Sequence, residues 1–177
     1  MTTKTAGIAA AAILNEFRVK APPVLVDEII AAKGIALRFT PLAPDLSGMI
    51  FQKAGEPVIV VNSTHPPNRQ RFTMAHELGH HQLHLSAIGS SVHVDKKFAM
   101  ARDLRSASGL DRQEVEANSF AAELLVPRTF LSRELQGRIV DVEDEELVAD
   151  LARLFRVSRQ MMAIRIGDVA ASDAARG

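Results

Sequence analysis

The chain has 177 residues and no cysteine, which excludes disulfides, thiolate metal sites and cysteine catalysis, so any metal must be held by His, Asp or Glu. Lysine plus arginine equals aspartate plus glutamate at 21 each, which excludes an overall electrostatic bias toward nucleic acid or anionic membranes. The hydrophobic share of 47% is that of an ordinary globular protein.

The first half of the chain is predicted to form helices and short strands. The apolar stretch within Ala6–Val19 predicts a helix and not a signal peptide, because Asn15-Glu16-Phe17 follows it where a cleavage site needs small residues. No other stretch is long or apolar enough to span a membrane. The remaining elements, in chain order, are a helix over Val24–Lys33 ended by Gly34, strands over Ile35–Phe39, Gly48–Gln52 and Pro57–Asn62, and a helix over Arg69–Leu85.

The second half is predicted to be helical after a long loop. Serine and glycine interrupt any periodicity between Ala87 and Gly109, and a loop of this length is typically functional or mobile. The predicted helices are Leu110–Val126, Pro127–Leu135 and a final pair between Asp141 and Val169, followed by a frayed tail.

The motif His76-Glu77-Leu78-Gly79-His80 lies within the third predicted helix. Residues four apart in a helix differ by about 40° and one turn, so both imidazoles point the same way and can bind one ion, for which zinc is suited. Glu77 flanks this face, where its carboxylate can take a proton from an attacking water and pass it to a leaving amine. The spacing predicts a zinc metallopeptidase with His76 and His80 as ligands and Glu77 as the catalytic base. The alternative, a polar face with two unrelated histidines, is weakened by the apolar residues that give the same helix a buried face.

A peptidase site of this type needs a third ligand. The pattern that places a histidine six residues after the second ligand is excluded, because Ser86 occupies that position. A glutamate from a later helix is the remaining common solution, and the segment Glu114-Val115-Glu116-Ala117-Asn118 offers two.

Three further histidines have less specific roles. His84 would lie about 12 Å along the helix axis from His76, so it cannot share the same ion and is predicted to be hydrogen-bonded or to line a pocket. His65 and His93 lie in predicted loops that can border a cleft, where either can stabilise an oxyanion, although a surface position is the simpler interpretation. The chain has no tyrosine, so that stabiliser is not a phenol, and the arginines stay open as candidates.

Two linked motifs resemble those of the ImmA/IrrE family of metallo-endopeptidases. The first is Arg71-Phe72-Thr73-Met74-Ala75 leading into the His76 motif, and the second runs from Glu114 through Ala117-Asn118 to the segment Phe120–Pro127. The strand Ile59–Asn62 and the loop Leu46–Gly48 also fit, and the resemblance covers most of residues 24–166. One departure is Val126, where a methionine before the proline is usual, and it does not affect the chemistry.

The resemblance implies an α+β fold with a zincin-like core, in which a small β-sheet carries the active-site helix and a third-ligand helix, and a helical C-terminal subdomain follows. We expect a metallopeptidase domain over residues 1–140, a helical subdomain over 141–170 and a flexible tail over 171–177.

The same resemblance makes Glu114 the third ligand. It implies a cytoplasmic, zinc-dependent endopeptidase that cleaves a specific partner regulator, a helix-turn-helix repressor or antitoxin-type protein, in stress, mobile-element or toxin–antitoxin control. Direct contact with nucleic acid or membrane is not expected.

A helical wheel supports Glu114 over Glu116 as the ligand. With Glu114 at zero, Asn118 falls at about 40° and Ala121 at about −20°, on a face expected to pack inward, whereas Glu116 lies about 160° away beside Glu123. We expect a buried Glu114 that binds the ion, a Glu116 that does not, and an Asn118 that hydrogen-bonds a ligand imidazole.

The segment Glu145–Ile166 supports a second hypothesis, a DNA-binding or protein-interaction module with a structural metal site. It fits a helix-turn-helix whose second helix is capped by Ser158 and carries Arg159 and Arg165. Against DNA binding, Arg156 stands where a turn glycine is expected, and the acidic run 141–146 would repel phosphate. The simpler interpretation is a helical hairpin that packs on the peptidase domain or presents a surface for substrate docking.

Overall fold

A computed structural model describes residues 3–88, 93–95, 109–135 and 144–174 of the chain. These described residues form seven helices and four strands. The helices are α1 (Thr3–Glu16), α2 (Val26–Ala32), α3 (Pro67–Ile88), α4 (Gly109–Leu125), α5 (Arg128–Leu135), α6 (Glu145–Phe155) and α7 (Arg159–Ala174). The strands are β1 (Ala36–Thr40), β2 (Gly48–Lys53), β3 (Glu56–Asn62) and β4 (His93–Asp95). The predicted α+β class, with a small sheet and the two motif-bearing helices, is confirmed.

These strands form one sheet in the order β1-β3-β2-β4. β1 runs parallel to β3, whereas β2 is antiparallel to both β3 and β4. β3 lies between two partners, and its apolar run Val58–Val61 is buried throughout. The hairpin between β2 and β3 turns at Ala54 and Gly55, which both have positive φ (53° and 85°), at the point where the sequence predicts a turn.

The strand β4 lies inside the segment predicted to be a loop, so that prediction is wrong for residues 93–95. It pairs with β2 through Ile50↔His93 and Gly48↔Asp95. A strand of three residues, His93–Asp95, is too short to show an alternating hydrophobic pattern. It forms because the edge of β2 is available for backbone pairing. Most of the other residues of the predicted loop lie outside the described part of the chain.

The helix α3 is central to the fold. It packs against β2 and β3 and against α4, and α1 and α2 cover further parts of it. Every residue from Phe72 to His80 is buried as a result, including the polar Thr73, His76 and Glu77. Burial of several polar side chains is costly unless they are paired or bind a ligand, which marks this stretch as a candidate functional site.

The N-terminal helix belongs to the same core. Ala6, Ala10 and Ile13 are buried, and α1 packs against α4. The sequence therefore predicts this helix correctly, although it begins and ends a few residues earlier than expected. Within the ranges that the structure describes, no helix has both the length and the apolar character needed to cross a membrane.

The helices α6 and α7 form a hairpin with a short turn. Arg156 takes the left-handed conformation (φ 54°, ψ 51°) that the sequence would assign to a glycine, and Ser158 Oγ accepts a hydrogen bond from the Met161 amide at 3.1 Å. The apolar residues that form the core of this hairpin are buried: Leu151, Phe155, Val157, Met162 and Ile166. α7 continues to Ala174, into the segment expected to be a tail.

Candidate metal centre

The predicted motif on α3 brings two imidazoles into contact. His76 Nε2 and His80 Nε2 lie 3.0 Å apart, and the two side chains are 0% and 1% exposed. The helix is regular here, so the four-residue spacing places the rings on one face, as predicted. Nitrogen atoms this close, on two buried side chains, are suited to share one ion.

Glu114 on α4 completes a three-residue cluster. Its Oε2 atom lies 3.2 Å from His76 Nε2, and its Oε1 atom lies 3.3 Å from His80 Nε2. An ion held tetrahedrally by bonds of 2.0–2.1 Å has ligand atoms about 3.3 Å apart, so the three atoms already have the spacing of zinc ligands. Two imidazoles and a carboxylate also form a donor set that suits zinc, so the residues fit the expected metal.

A close contact between α3 and α4 makes this arrangement possible. A Cβ atom built on Gly79 would lie 3.0 Å from Phe120 Cδ1 and 3.2 Å from both the Cα and the carbonyl oxygen of Ala117. The two backbones therefore approach more closely than residues larger than Gly79 and Ala117 would allow. A glutamate has a short reach, and this contact brings its carboxylate to the two imidazoles.

Asn118 holds the first imidazole from behind. His76 Nδ1 lies 2.9 Å from Asn118 Oδ1. An amide oxygen only accepts, so Nδ1 carries the hydrogen and donates it, which leaves the Nε2 lone pair directed at His80 and Glu114. The sequence predicts this hydrogen bond, and the structure contains it.

Glu77 lies between α3 and the sheet. Its side chain is fully buried, and a Cβ atom built on Gly48, the first residue of β2, would lie 3.4 Å from Glu77 Oε1. The same added atom would lie 2.4 Å from Thr73 Cγ2 and 2.8 Å from the Val60 carbonyl oxygen. Position 48 therefore requires glycine because of Thr73 and Val60, and the Glu77 carboxylate lies in ordinary contact distance of it.

The loop before β2 is held in place by Asn62. This buried side chain accepts hydrogen bonds from the Leu42 and Thr64 amides at 3.2 and 3.0 Å, and donates to the Leu46 carbonyl at 2.8 Å. The bonds tie residues 42–46 to the end of β3 and thereby fix where Gly48 enters the sheet. Sequence analysis identified the segment containing Asn62 but not this role.

The expected burial of the two glutamates on α4 is wrong. Glu116 is 4% exposed, whereas the Glu114 side chain is 36% exposed. The helical wheel left out Phe120 and Leu124, which fall at about −120° and −80° and are fully buried. The inward face is therefore centred between the two glutamates, so that Glu114 lies at one margin and Glu116 at the other. The exposure of Glu114 opens the cluster to solvent on that side.

His84 and Glu116 form a second buried contact between α3 and α4. His84 Nε2 lies 3.6 Å from Glu116 Oε2, and Glu116 Oε1 accepts a hydrogen bond from Arg112 Nε at 3.3 Å. His84 leaves the helical conformation (φ −128°, ψ 19°), so it lies beside Glu116 and outside the three-residue cluster. His84 is buried at this position, and its hydrogen-bonding or pocket-lining role stays a prediction.

None of the other described histidine side chains belongs to the cluster of His76, His80 and Glu114. His65 Nε2 lies 3.4 Å from the Pro44 carbonyl oxygen, a bond that uses its N–H group and leaves it a poor oxyanion donor. The side chain of His93 lies outside the described part of the structure. Burial lowers the pKa of His81, and the charge of Lys33 lowers it further, so this imidazole is neutral near pH 7.

Comparisons with known proteins agree with this geometry. The sequence profile of the peptidase M78 family, described as the IrrE N-terminal-like domain, matches residues 30–167. A curated relative is "Uncharacterized immunity region protein 2" of Bacillus phage phi105, 41% identical over 75 residues, which are 42% of this chain and 41% of the relative.

Among solved structures, a Mycobacterium tuberculosis transcriptional regulator has a TM-score of 0.60 and 19% identity, covering 90% of this chain and 45% of the regulator. At this identity the similarity shows a shared fold alone. Both matches span less than half the length of the protein matched. The family profile, by contrast, covers most of the chain and every residue of the candidate centre, so this protein belongs to the peptidase M78 family of IrrE N-terminal-like domains, and the resemblance to ImmA/IrrE proteins is confirmed.

Proposed function

We propose that the chain is a zinc-dependent endopeptidase in which His76, His80 and Glu114 bind the metal and Glu77 moves the proton. The observation that carries the proposal is the spacing of the three ligand atoms, 3.0, 3.2 and 3.3 Å, beside a buried glutamate. Membership of a peptidase family supports an enzyme of the metallopeptidase type.

When bound, zinc would act as a Lewis acid that acidifies water and polarises the scissile carbonyl. Glu77 would take the proton from the attacking water and deliver it to the leaving amine. Asn118 keeps the His76 ring in the orientation and tautomer that the site requires. The exposed side of Glu114 supports entry of the substrate from that direction.

We propose a partner regulator, namely a helix-turn-helix repressor or antitoxin-type protein, as the substrate. The relative from phage phi105 is named as an immunity region protein, which supports a role in mobile-element control. Recognition of one regulator would favour a single cleavage site over general digestion.

A trapping experiment tests this function. Glu77→Gln should bind the partner without cutting it, so affinity purification with this variant followed by mass spectrometry should identify the substrate. The zinc-loaded wild type should then cut the captured protein at one site and cut casein poorly, and Glu28→Gln, an exposed change on α2, serves as the matched control. A captured protein that the wild type leaves intact, or rapid digestion of casein, would contradict the proposal.

The hairpin of α6 and α7 supports a second candidate function, DNA binding. The left-handed Arg156 and the Ser158 cap give it the turn of a helix-turn-helix, which removes the objection that no glycine is present. The exposed acidic residues Glu145, Glu146 and Asp150 on α6 oppose contact with phosphates. A mobility-shift assay at low salt separates the candidates, because DNA binding would survive removal of the metal and proteolysis would not.

A further inference from the structure

A cavity of about 360 Å³ lies at the turn between α6 and α7, beside the first turn of α3. It is distinct from the candidate metal centre and shares no lining residue with it. Its volume falls within the range of small-molecule sites. The lining consists of three arginines and four neutral residues: Arg153, Arg156, Arg159, Asn68, Ala149, Ala152 and Val157.

Positive charge in this cavity is only partly compensated. Arg153 forms an ion pair with Asp150, one turn earlier on α6. Across the described ranges, no carboxylate lies within ion-pair distance of Arg156 or Arg159. No acidic residue lines the cavity. Two guanidinium groups therefore remain available to an anion.

A fourth arginine, Arg71, lies close behind the lining. Arg71 on α3 donates hydrogen bonds to the carbonyl oxygens of Arg156 and Val24, at 3.2 and 2.9 Å. Burial lowers the pKa of Arg71, and the positive charge of Arg156 lowers it further, although Asp27 acts in the opposite direction. Like charges this close repel each other, and a bound anion would relieve the repulsion.

We propose that this arginine pocket, lined by Arg153, Arg156 and Arg159, binds the phosphate group of a small ligand. A phosphate monoester carries about −1.5 to −2 charges near pH 7, which matches the two uncompensated guanidinium groups, whereas a single carboxylate would neutralise only one. The planar fork of arginine also suits bidentate contacts with phosphate oxygens. Arg159 is the first residue of α7, so the positive end of that helix dipole adds to the attraction.

Duplex DNA fits these features less well than a compact phosphate. Beyond Arg159, the exposed residues of α7 include the apolar Ile164 and the acidic Asp168. Among the described residues of α7, Arg159 is the one exposed cation, so a duplex lying along this helix would find no second one and would meet the exposed acidic residues near the start of α6. A ligand confined to the pocket would avoid them.

Binding here would also affect how the hairpin meets α3. Asn68 Nδ2 donates to the Val157 carbonyl at 3.0 Å, next to the bond from Arg71 to Arg156. These two bonds join the turn to the helix that carries the metal-binding histidines. A phosphate bound to the turn should therefore raise the melting temperature of the whole protein.

The test is a titration of the full chain at constant ionic strength, followed by amide NMR and by thermal unfolding. The probes are inorganic phosphate, adenosine monophosphate, acetate and a short DNA duplex. We expect saturable shifts at residues 156–159 with phosphate and adenosine monophosphate, and no saturable shifts with acetate. If inorganic phosphate saturates the site and the nucleotide does not, the phosphate chemistry still holds and the ligand is the free anion.

Two variants examine the arginines individually. Arg159→Gln and Arg156→Asn should each weaken binding about tenfold or more, the effect of losing a charge-assisted hydrogen bond, and asparagine tolerates the left-handed conformation at position 156. Arg38→Gln, an exposed change on β1, should have no effect. The proposal fails if phosphate shows no saturable binding, if Arg38→Gln weakens it equally, or if the duplex binds tightly while the small phosphates do not.

Discussion

Exchanging each of the two glutamates on α4 for glutamine should separate metal binding from stability. The Glu114 carboxylate lies 3.2 and 3.3 Å from the two Nε2 atoms, so Glu114→Gln removes the charge of the proposed third ligand. Loss of a partner that only supports a ligand weakens metal binding by about 10–100-fold, and loss of a ligand itself should therefore weaken zinc binding by more than about 100-fold. Because this side chain is 36% exposed, the metal-free variant should unfold close to the wild-type temperature.

Glu116→Gln should lower the stability of the protein and change its zinc affinity little. Glu116 is 4% exposed and contacts His84 and Arg112, so the change weakens charge-assisted interactions inside the protein. Arg112 is 59% exposed, which reduces the expected loss to about 1–2 kcal/mol. For a chain of this length, such a loss lowers the melting temperature by about 2–8 °C. Zinc affinity should change by less than about tenfold, because Glu116 does not touch the metal-binding atoms.

Competition with a chromophoric zinc chelator measures the zinc affinity. Thermal unfolding of the metal-free proteins, followed by circular dichroism, measures the melting temperature. The two variants differ only in which of two glutamates, two residues apart, is changed, so each is the matched control of the other. If Glu116→Gln abolishes zinc binding while Glu114→Gln binds like the wild type, the ligand assignment is refuted. If neither variant changes zinc affinity, the cluster is not the metal site.

Elemental analysis should find about one zinc per chain and none in His76→Ala, and Glu77→Gln should keep the metal and fold but lose peptidase activity; a folded wild type that takes up no zinc would end the enzyme hypothesis. Gly79→Ala should weaken zinc binding and lower the melting temperature, because the added Cβ would lie 3.2 Å from backbone atoms of α4. Its control is Gly167→Ala on α7, where the added atom meets nothing within 4 Å and should stabilise by about 0.5–1 kcal/mol. Asn118→Ala should weaken zinc binding about 10–100-fold, and unchanged affinity would show that its hydrogen bond does not support His76.

Sequence reasoning succeeded where the signal is local. The four-residue spacing of His76 and His80 determines their geometry within one helix, and the turn at Ala54 and Gly55 follows from residues adjacent in the chain. The close contact at Gly79 was also predictable, because a glycine within an apolar helical face often marks a tight helix–helix approach.

The features that sequence reasoning missed depend on distant parts of the chain. β4 has no pattern of its own and exists because β2 offers an edge more than 40 residues earlier, as the pairing of Gly48 with Asp95 shows. The burial of Glu116 depends on where His84 lies at the end of another helix. Phe120 and Leu124, both fully buried, turn the inward face of α4 toward Glu116.

The hydrogen bonds between α3 and the hairpin turn also bear on the order in which parts of the protein form during translation. Asn68 and Arg71 meet carbonyl groups that lie 89 and 85 residues later in the chain. Contacts between such distant segments form late, since the intervening chain must first be closed into a loop. The histidine helix therefore leaves the ribosome well before Glu114 and the hairpin that anchors it. A nascent chain that ends before residue 114 lacks one member of the His76, His80 and Glu114 cluster, and the contacts between α3 and the hairpin turn form later still.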